Sequence, residues 1–305
     1  MGLTKEQHDL RKSGIGGSDA GAVIGLNPYR TPFNVWLEKT GREPAPDLSD
    51  NAAVRWGNIL EDVVAQEYAS VTGRKLRKIK KTRYHKRYPF MLANIDRLVV
   101  GENGLLEIKT AGHFADGWGE PGTDQVPESY IAQCCHYLAV YDRDWCDLAV
   151  LIGGRDFRVY HINRDRKLEH YLIDAERRFW DLVVRDVPPE PSSLEDVAKR
   201  WPKDNGGTIE TTPQITEDLT ILKSWKKEVD QLKNLIELKE LEIKKYIGDN
   251  LTLVDADGKP LATWKTQKTN RVNIKRLKEE EPDIAEKYTD ETETRVFRIK
   301  NRSEK

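Results

Sequence analysis

The chain has 305 residues, 38% of them hydrophobic and 33% charged, with a formal net charge of −1. That length supplies one large domain or two ordinary ones with a full core, and the near-zero balance leaves any polyanion-binding surface to local clustering. Cys134, Cys135 and Cys146 are too few and too closely placed for a disulfide framework or an iron–sulfur cluster, and no apolar run nears the ~20 residues of a membrane span. With no signal-peptide core at the N-terminus either, a soluble intracellular protein without membrane contact is expected.

Residues 5–12 read as the end of a short helix that leads into Gly14-Ile15-Gly16-Gly17-Ser18-Asp19. Ser18 or Asp19 is expected to cap the helix that follows. A glycine-rich turn feeding a helix start is a ready anion site, and Arg11 would add a charged clamp on phosphate; an ordinary loop and cap is the alternative. A short helix near Phe33–Thr40 and a Pro- and Asp-rich loop come next. A longer helix then runs from about Asn51 to Thr72, closed by Gly73. Glu61 sits at the border of its apolar face, either solvated or available as a ligand.

From Arg74 to Arg87 stand nine cations and no acid, with Leu76, Ile79 and Tyr84 between them and Tyr88 directly after. Such a run is either a solvated tract or a phosphate-binding face, and the apolar spacers favour the face. Lys75, Arg77, Lys78, Lys80, Lys81 and Arg83 are its candidate DNA-binding residues. Asn94–Val100 and Leu105–Thr110 then read as two strands joined by Gly101-Glu102-Asn103-Gly104. Alternation puts Glu107 and Lys109 on one side of the second strand, and a hairpin would bring Asp96 near Glu107. Two crowded carboxylates call for an oxygen-ligated Mg²⁺, and a lysine beside it would orient or deprotonate a water that attacks a phosphodiester. A solvated hairpin is the plain alternative, but charges inside a nearly unbroken apolar strand argue against it.

An irregular loop, 111–125, leads to a helix over Glu128–Tyr141 that carries Tyr130, Gln133 and Tyr137 on one face. Gln133 is a core-edge amide or one aimed at a phosphate or a bound water. Strands over Asp147–Ile152 and Phe157–Ile162 and a helix over Arg166–Val184 complete an α/β unit, a mixed sheet flanked by helices. The expected organisation is a core at 1–190, a linker at 191–212 and a C-terminal helix, hairpin and last strand at 213–305. The long helix, 216–247, places Leu222, Trp225, Val229, Leu232, Ile236, Ile243 and Tyr246 at a and d heptad positions, with Lys239 breaking the seam. The helix is expected to pack on a partner helix or within the chain, and the break favours the second. A hairpin over 251–265 and a strand near Thr294–Ile299 are expected beyond it.

The order Arg11…Gly14-Ile15-Gly16-Gly17-Ser18, Trp56-Gly57-x-x-x-Glu61, Asp96, Glu107-Ile108-Lys109 and Tyr130-x-x-Gln133 resembles the YqaJ-type phage recombinases. These are similar to lambda exonuclease in the PD-(D/E)xK superfamily, and the likeness spans roughly Leu10 to Val184. It implies a restriction-endonuclease-like core and a Mg²⁺-dependent deoxyribonuclease, with Mn²⁺ able to substitute. The implied activity is a 5′→3′ exonuclease on double-stranded DNA ends. It would supply single strands to an annealing protein for recombination, in a bacterial cytoplasm hosting a phage or prophage. Carried over by residue, Asp96, Glu107 and the Ile108 carbonyl would bind metal, and Glu61 would complete the shell. Lys109 would position or activate water, and Gln133 would support Lys109 or the phosphate. Arg11 and Ser18 would hold a 5′-phosphate. The resemblance also implies a homo-oligomer, in some relatives a ring. Ile95 stands where the superfamily has proline, and the chain is longer than a bare nuclease core. A structure- or sequence-specific endonuclease and a non-catalytic DNA-binding scaffold are the competing readings.

Overall fold

The computed structural model describes residues 10–45, 48 and 50–300. Residues 5–9 of the expected first helix, and 46, 47 and 49 of the expected loop, lie outside them. The chain divides into two compact units between Arg200 and Trp201. Among the described residues, no helix is long and apolar enough to cross a membrane.

The first unit is built on a five-stranded mixed sheet ordered β2–β5–β6–β7–β8. Its strands are β2 (Leu76–Lys78), β5 (Arg97–Val99), β6 (Gly104–Ala111), β7 (Trp145–Ile152) and β8 (Asp156–Asn163). β6 runs antiparallel to β5 and parallel to β7, and β8 returns antiparallel. The parallel step needs a crossover, which is supplied by helix α4 (Glu128–Tyr141). This is the α/β restriction-endonuclease-like core expected from the sequence.

Helices cover both faces of the sheet, so β6 and β7 are apolar nearly throughout. On one face, α3 (Ala52–Thr72) packs Val64, Ala65 and Tyr68 on Leu106, Ile108 and Ala149. Asn51 caps α3 by accepting from the amides of Ala53 and Val54, and Gly73 closes it in the left-handed region at φ 71°. On the other face, α4 packs Cys134, Tyr137 and Leu138 on Leu105, Leu148 and Val150. Outside α4 lie α1 (Gly17–Val23), α2 (Pro32–Lys39) and α5 (Arg166–Val184), with Phe33, Trp36 and Phe179 forming a second apolar cluster. A small sheet of β1 (Ile15–Gly16), β4 (Met91–Ala93) and β3 (Arg83–Tyr84) leaves too short a pattern to be read from sequence.

Two expectations change here. Neither Ser18 nor Asp19 caps α1: Gly16 is the capping residue, and Asp19, one turn in, accepts from the Gly16 amide at 3.1 Å. The unit boundary falls inside the stretch expected as linker. Its first part forms α6 (Leu194–Arg200), joined to the first unit by Thr31 Oγ1 donating to buried Asp196 at 2.9 Å.

The second unit holds α7 (Pro213–Ile247), the hairpin β9 (Thr252–Val254) and β10 (Pro260–Thr263), and the short helices α8 (Ile274–Glu280) and α9 (Pro282–Lys287). No strand forms at 294–299, because its alternating pattern finds no neighbouring edge to pair with. Within its own unit the α7 seam is left open. Trp225, Val229, Leu232, Ile236, Ile243 and Tyr246 are each between 46% and 79% exposed, and Ile247 is the buried residue of the helix.

A fully buried ion pair fastens α4 to α5 behind the sheet. His136 Nδ1 donates to Glu176 at 2.8 Å while Nε2 donates to the Leu92 carbonyl at 3.0 Å. Burial alone would lower the imidazole pKa; Glu176 and the Leu92 carbonyl outweigh it and hold the ring above its ordinary value. Both nitrogens can donate to these acceptors at once only when the ring carries its second proton. Glu176→Ala strands that charge and should cost about 3–5 kcal/mol in urea unfolding. A loss below about 1 kcal/mol would show that the pair does not fasten the helices.

Candidate active site

Strand alternation decides which side chains meet. Leu106 and Ile108 face α3, whereas Glu107 and Lys109 face α4. Glu107 is buried, and its Oε1 accepts from Lys109 Nζ at 2.7 Å and from Gln133 Nε2 at 2.7 Å. The amide oxygen of Gln133 accepts from the same Lys109 Nζ at 3.0 Å, closing a three-membered ring of contacts. Asp96 lies just before β5, where its Oδ2 accepts from the Ile108 amide at 2.8 Å. The structure thus brings together Asp96, Glu107, Lys109 and Gln133, with Ile108 contributing its backbone.

The electrostatics are those of a site short of positive charge. Burial, then the neighbouring Glu107, push the Asp96 carboxyl up to about 8. Burial acts to lower Lys109, but Glu107 and Asp96 outweigh it and hold the ammonium above its ordinary range. Glu107 Oε2 is buried with no hydrogen-bond partner. An unpartnered anionic oxygen beside a carboxyl forced to keep its proton fits a hard divalent cation bound through oxygen.

Glu61 is placed differently. Its Oε1 accepts from Arg97 Nη1 at 2.7 Å and lies 3.0 Å from Lys78 Nζ. Arg97 also holds Asp62 on the next position of α3. Consequently no group of three or more His, Cys, Asp and Glu side chains is set to grip a metal among the described residues. Glu61 and Asp96 nevertheless line one cavity of about 740 Å³, together with Ser13, Lys78 and Lys80.

The basic tract is divided by its strands. Lys78 and Lys80 reach that cavity, whereas Arg77 lines a separate one beside Arg143. Arg83 lies over the Tyr141 ring at 5.0 Å, and Lys75 and Lys81 are exposed. Arg74 is structural: it donates to buried Asp147 at 2.7 Å and stacks on Trp145 at 4.5 Å. Arg11 is engaged as well. Its Nε donates to buried Glu38 at 3.1 Å, in a cluster where Arg30 and Lys39 hold Asp19 at 2.7 and 2.6 Å. Three cations meet two carboxylates there, so one positive charge is in excess. Ser18 is exposed in the first turn of α1.

Two supporting residues escape sequence reasoning. Arg97 carries no expected role within the Asn94–Val100 strand, yet it fixes Glu61. Tyr137, placed by the sequence on one helix face with Gln133 but with no expected role there, accepts through its hydroxyl from Gln133 Nε2 at 3.0 Å. Gly17 makes room for that ring, since a Cβ there would lie 2.2 Å from Tyr137 Cε1. The spacing of Gln133 and Tyr137, one helical turn apart, is the signal that could have found the second.

The raised Asp96 has a sign. Between about pH 4 and 8 the unfolded state ionises this group while the folded state keeps its proton, so stability falls as pH rises through that window and levels off above it. In EDTA, Asp96→Asn should match the parent near pH 4 and exceed it by more than about 1.4 kcal/mol at pH 8.5, the worth of one pKa unit. Parallel stability curves for the two proteins would remove the carboxylate crowding from the account.

Comparison with known proteins agrees with the motif order. The YqaJ-like viral recombinase domain matches residues 6–144. The uncharacterized protein YqaJ of Bacillus subtilis strain 168 is 36% identical over 299 residues, covering 95% of this chain and 92% of its own length. Among solved structures, an alkaline exonuclease (LHK-Exo) from Laribacter hongkongensis gives a TM-score of 0.49 at 21% identity, over 60% of this chain and 94% of that one. A phage-related exonuclease from Haemophilus somnus 129PT gives 0.42 at 14% identity, over 59% and 98%. The fold assignment stands on the strand order and register above, and the homology over nearly the full length decides the rest: this chain belongs to the YqaJ-like viral recombinase family.

Proposed function

We propose that the protein is a metal-dependent deoxyribonuclease, a 5′→3′ exonuclease on double-stranded DNA ends. The single strands it leaves would pass to an annealing protein for recombination in a bacterial cytoplasm. One observation carries the reading: the buried, half-satisfied carboxylate of Glu107, crowded against Asp96 and clasped by a protonated lysine, next to a cavity that Lys78 and Lys80 line.

Asp96, Glu107 and the Ile108 carbonyl would hold Mg²⁺, or Mn²⁺ in its place, with Glu61 reaching it through water. When bound, such a cation neutralises charge at a phosphate and acidifies water. Asp96 would join as a carboxylate and would then give up the proton that burial and Glu107 favour. Lys109 Nζ keeps its proton and acts as an oriented donor toward the attacking water or the scissile phosphate. Gln133 fixes that ammonium against Glu107, and Tyr137 fixes Gln133. Lys78 and Lys80 draw the DNA backbone across the cavity without reading sequence. Arg11, in a cluster with excess positive charge, and exposed Ser18 would meet a terminal 5′-phosphate, which favours ends over internal sites.

The deciding assay offers linear and covalently closed duplex DNA with Mg²⁺ and with EDTA. Linear DNA should be degraded with Mg²⁺ alone and closed circles left intact. Nicked circles would point to an endonuclease, and no cleavage at all to a scaffold. Glu107→Gln should lose cleavage by at least about 10³-fold while the protein still folds; near-parent turnover would refute the site. Lys80→Gln should lower the slope of log affinity against log salt by about 1, and Arg77→Gln, in its separate cavity, should leave it unchanged. Equal slopes for all three proteins would take Lys80 off the DNA path.

A further inference from the structure

A third group meets the Lys109 ammonium besides Glu107 and Gln133. Its Nζ lies over the ring of Tyr130, 4.9 Å from the centroid, inside the ~6 Å at which an aromatic face attracts a cation. Glu107 and Gln133 take two of the three ammonium protons. The ring attracts the charge without taking the third, which is left for a water or a phosphate oxygen. A lysine carries its charge on a flexible four-carbon stem, so it keeps one direction only where its surroundings hold it there. Tyr130 thus does what neither polar partner can: it steadies the ammonium and leaves its donor capacity intact.

Tyr130 is itself held. It lies in the first turn of α4, three residues before Gln133 and therefore on the same face. Trp118 packs on its ring at 5.6 Å between centroids and on the ring of Tyr160 in β8 at 5.5 Å. Trp118 belongs to the irregular stretch between β6 and α4, and that stretch is pinned to β8. The Tyr160 hydroxyl donates to the Gly119 carbonyl at 2.9 Å, the Gly122 amide to the Val159 carbonyl at 2.8 Å, and the His161 amide to the Thr123 carbonyl at 3.0 Å. Gly117, at φ 86°, makes the turn that brings Trp118 inward. A loop without helix or strand is in this way fixed to a distant strand of the sheet, and it bears on Lys109 through one aromatic ring.

We propose that Tyr130 is a positioning residue for Lys109, and that Trp118 acts on the same ammonium through it. This role rests on the nuclease reading. Its test compares single-turnover cleavage of linear duplex DNA with Mg²⁺ against affinity for the same DNA in EDTA. Tyr130→Leu should slow cleavage by about tenfold or more and leave affinity within about twofold of the parent. Tyr130→Phe keeps the ring that makes the contact and should recover the rate to within about threefold of the parent. Trp118→Leu should slow cleavage by about threefold or more alone, yet by less than about twofold when added to Tyr130→Leu, because both remove the same support. A parent that cleaves neither linear nor closed DNA would end the nuclease reading and this role with it. With an active parent, a fast Tyr130→Leu, a slow Tyr130→Phe, losses of affinity that match the losses of rate, or fully additive effects of the two substitutions would each overturn the positioning role alone.

Discussion

Glu107 holds one carboxylate oxygen saturated and the other bare, inside a sheet whose two faces are covered by helices. A buried charge satisfied on one side alone persists only where its surroundings fix it in place. Here they do so in sequence: Lys109 and Gln133 grip one oxygen, Tyr137 holds Gln133, and Gly17 leaves space for Tyr137. The glycine-rich turn near the start of the chain therefore acts on strand β6 through a helix that follows it by more than a hundred residues. Two of its glycines serve close approaches, Gly17 to the Tyr137 ring and Gly14 to the Phe90 carbonyl.

The opposite face works by charge pairing. Arg97 points to α3 because β5 alternates, and there it takes both Glu61 and Asp62. Without that guanidinium, Glu61 would add a further anion beside Asp96, whose carboxyl already feels its charge. α3 is in turn seated by Val64, Ala65 and Tyr68, so the apolar stripe read from sequence sets where an acid at its edge comes to lie.

That contrast marks what one sequence discloses. The Glu107–Lys109 pair was legible because alternation on a strand is local, and the ends of α3 were legible because Asn51 and Gly73 act within a turn. The partners of Arg11 were not: Glu38 and Lys39 stand 27 and 28 residues along the chain from it and reach it only once the unit is folded. The density of the basic tract was visible, but its division into cavity-facing Lys78 and Lys80, structural Arg74 and ring-covering Arg83 follows from strand faces and from Asp147, far along the chain. The strand expected at 294–299 shows the reverse error, since alternation describes a strand only where an edge exists to receive it.

Charge arithmetic then narrows what the site can accept. Around it stand four acids, Asp96, Glu107, Glu61 and Asp62, and three bases, Lys109, Arg97 and Lys78. The set is neutral while Asp96 keeps its proton and carries one net negative charge once it is ionised. Apart from Lys80 on the cavity wall, a phosphodiester would meet no net attraction in the first state and net repulsion in the second. Adding the proposed divalent cation to the ionised set turns the balance to one net positive charge, while the ammonium of Lys109 stays in place. The same carboxylates that would repel DNA in the empty site thereby become the means of attracting it, and cation and substrate should favour one another's binding.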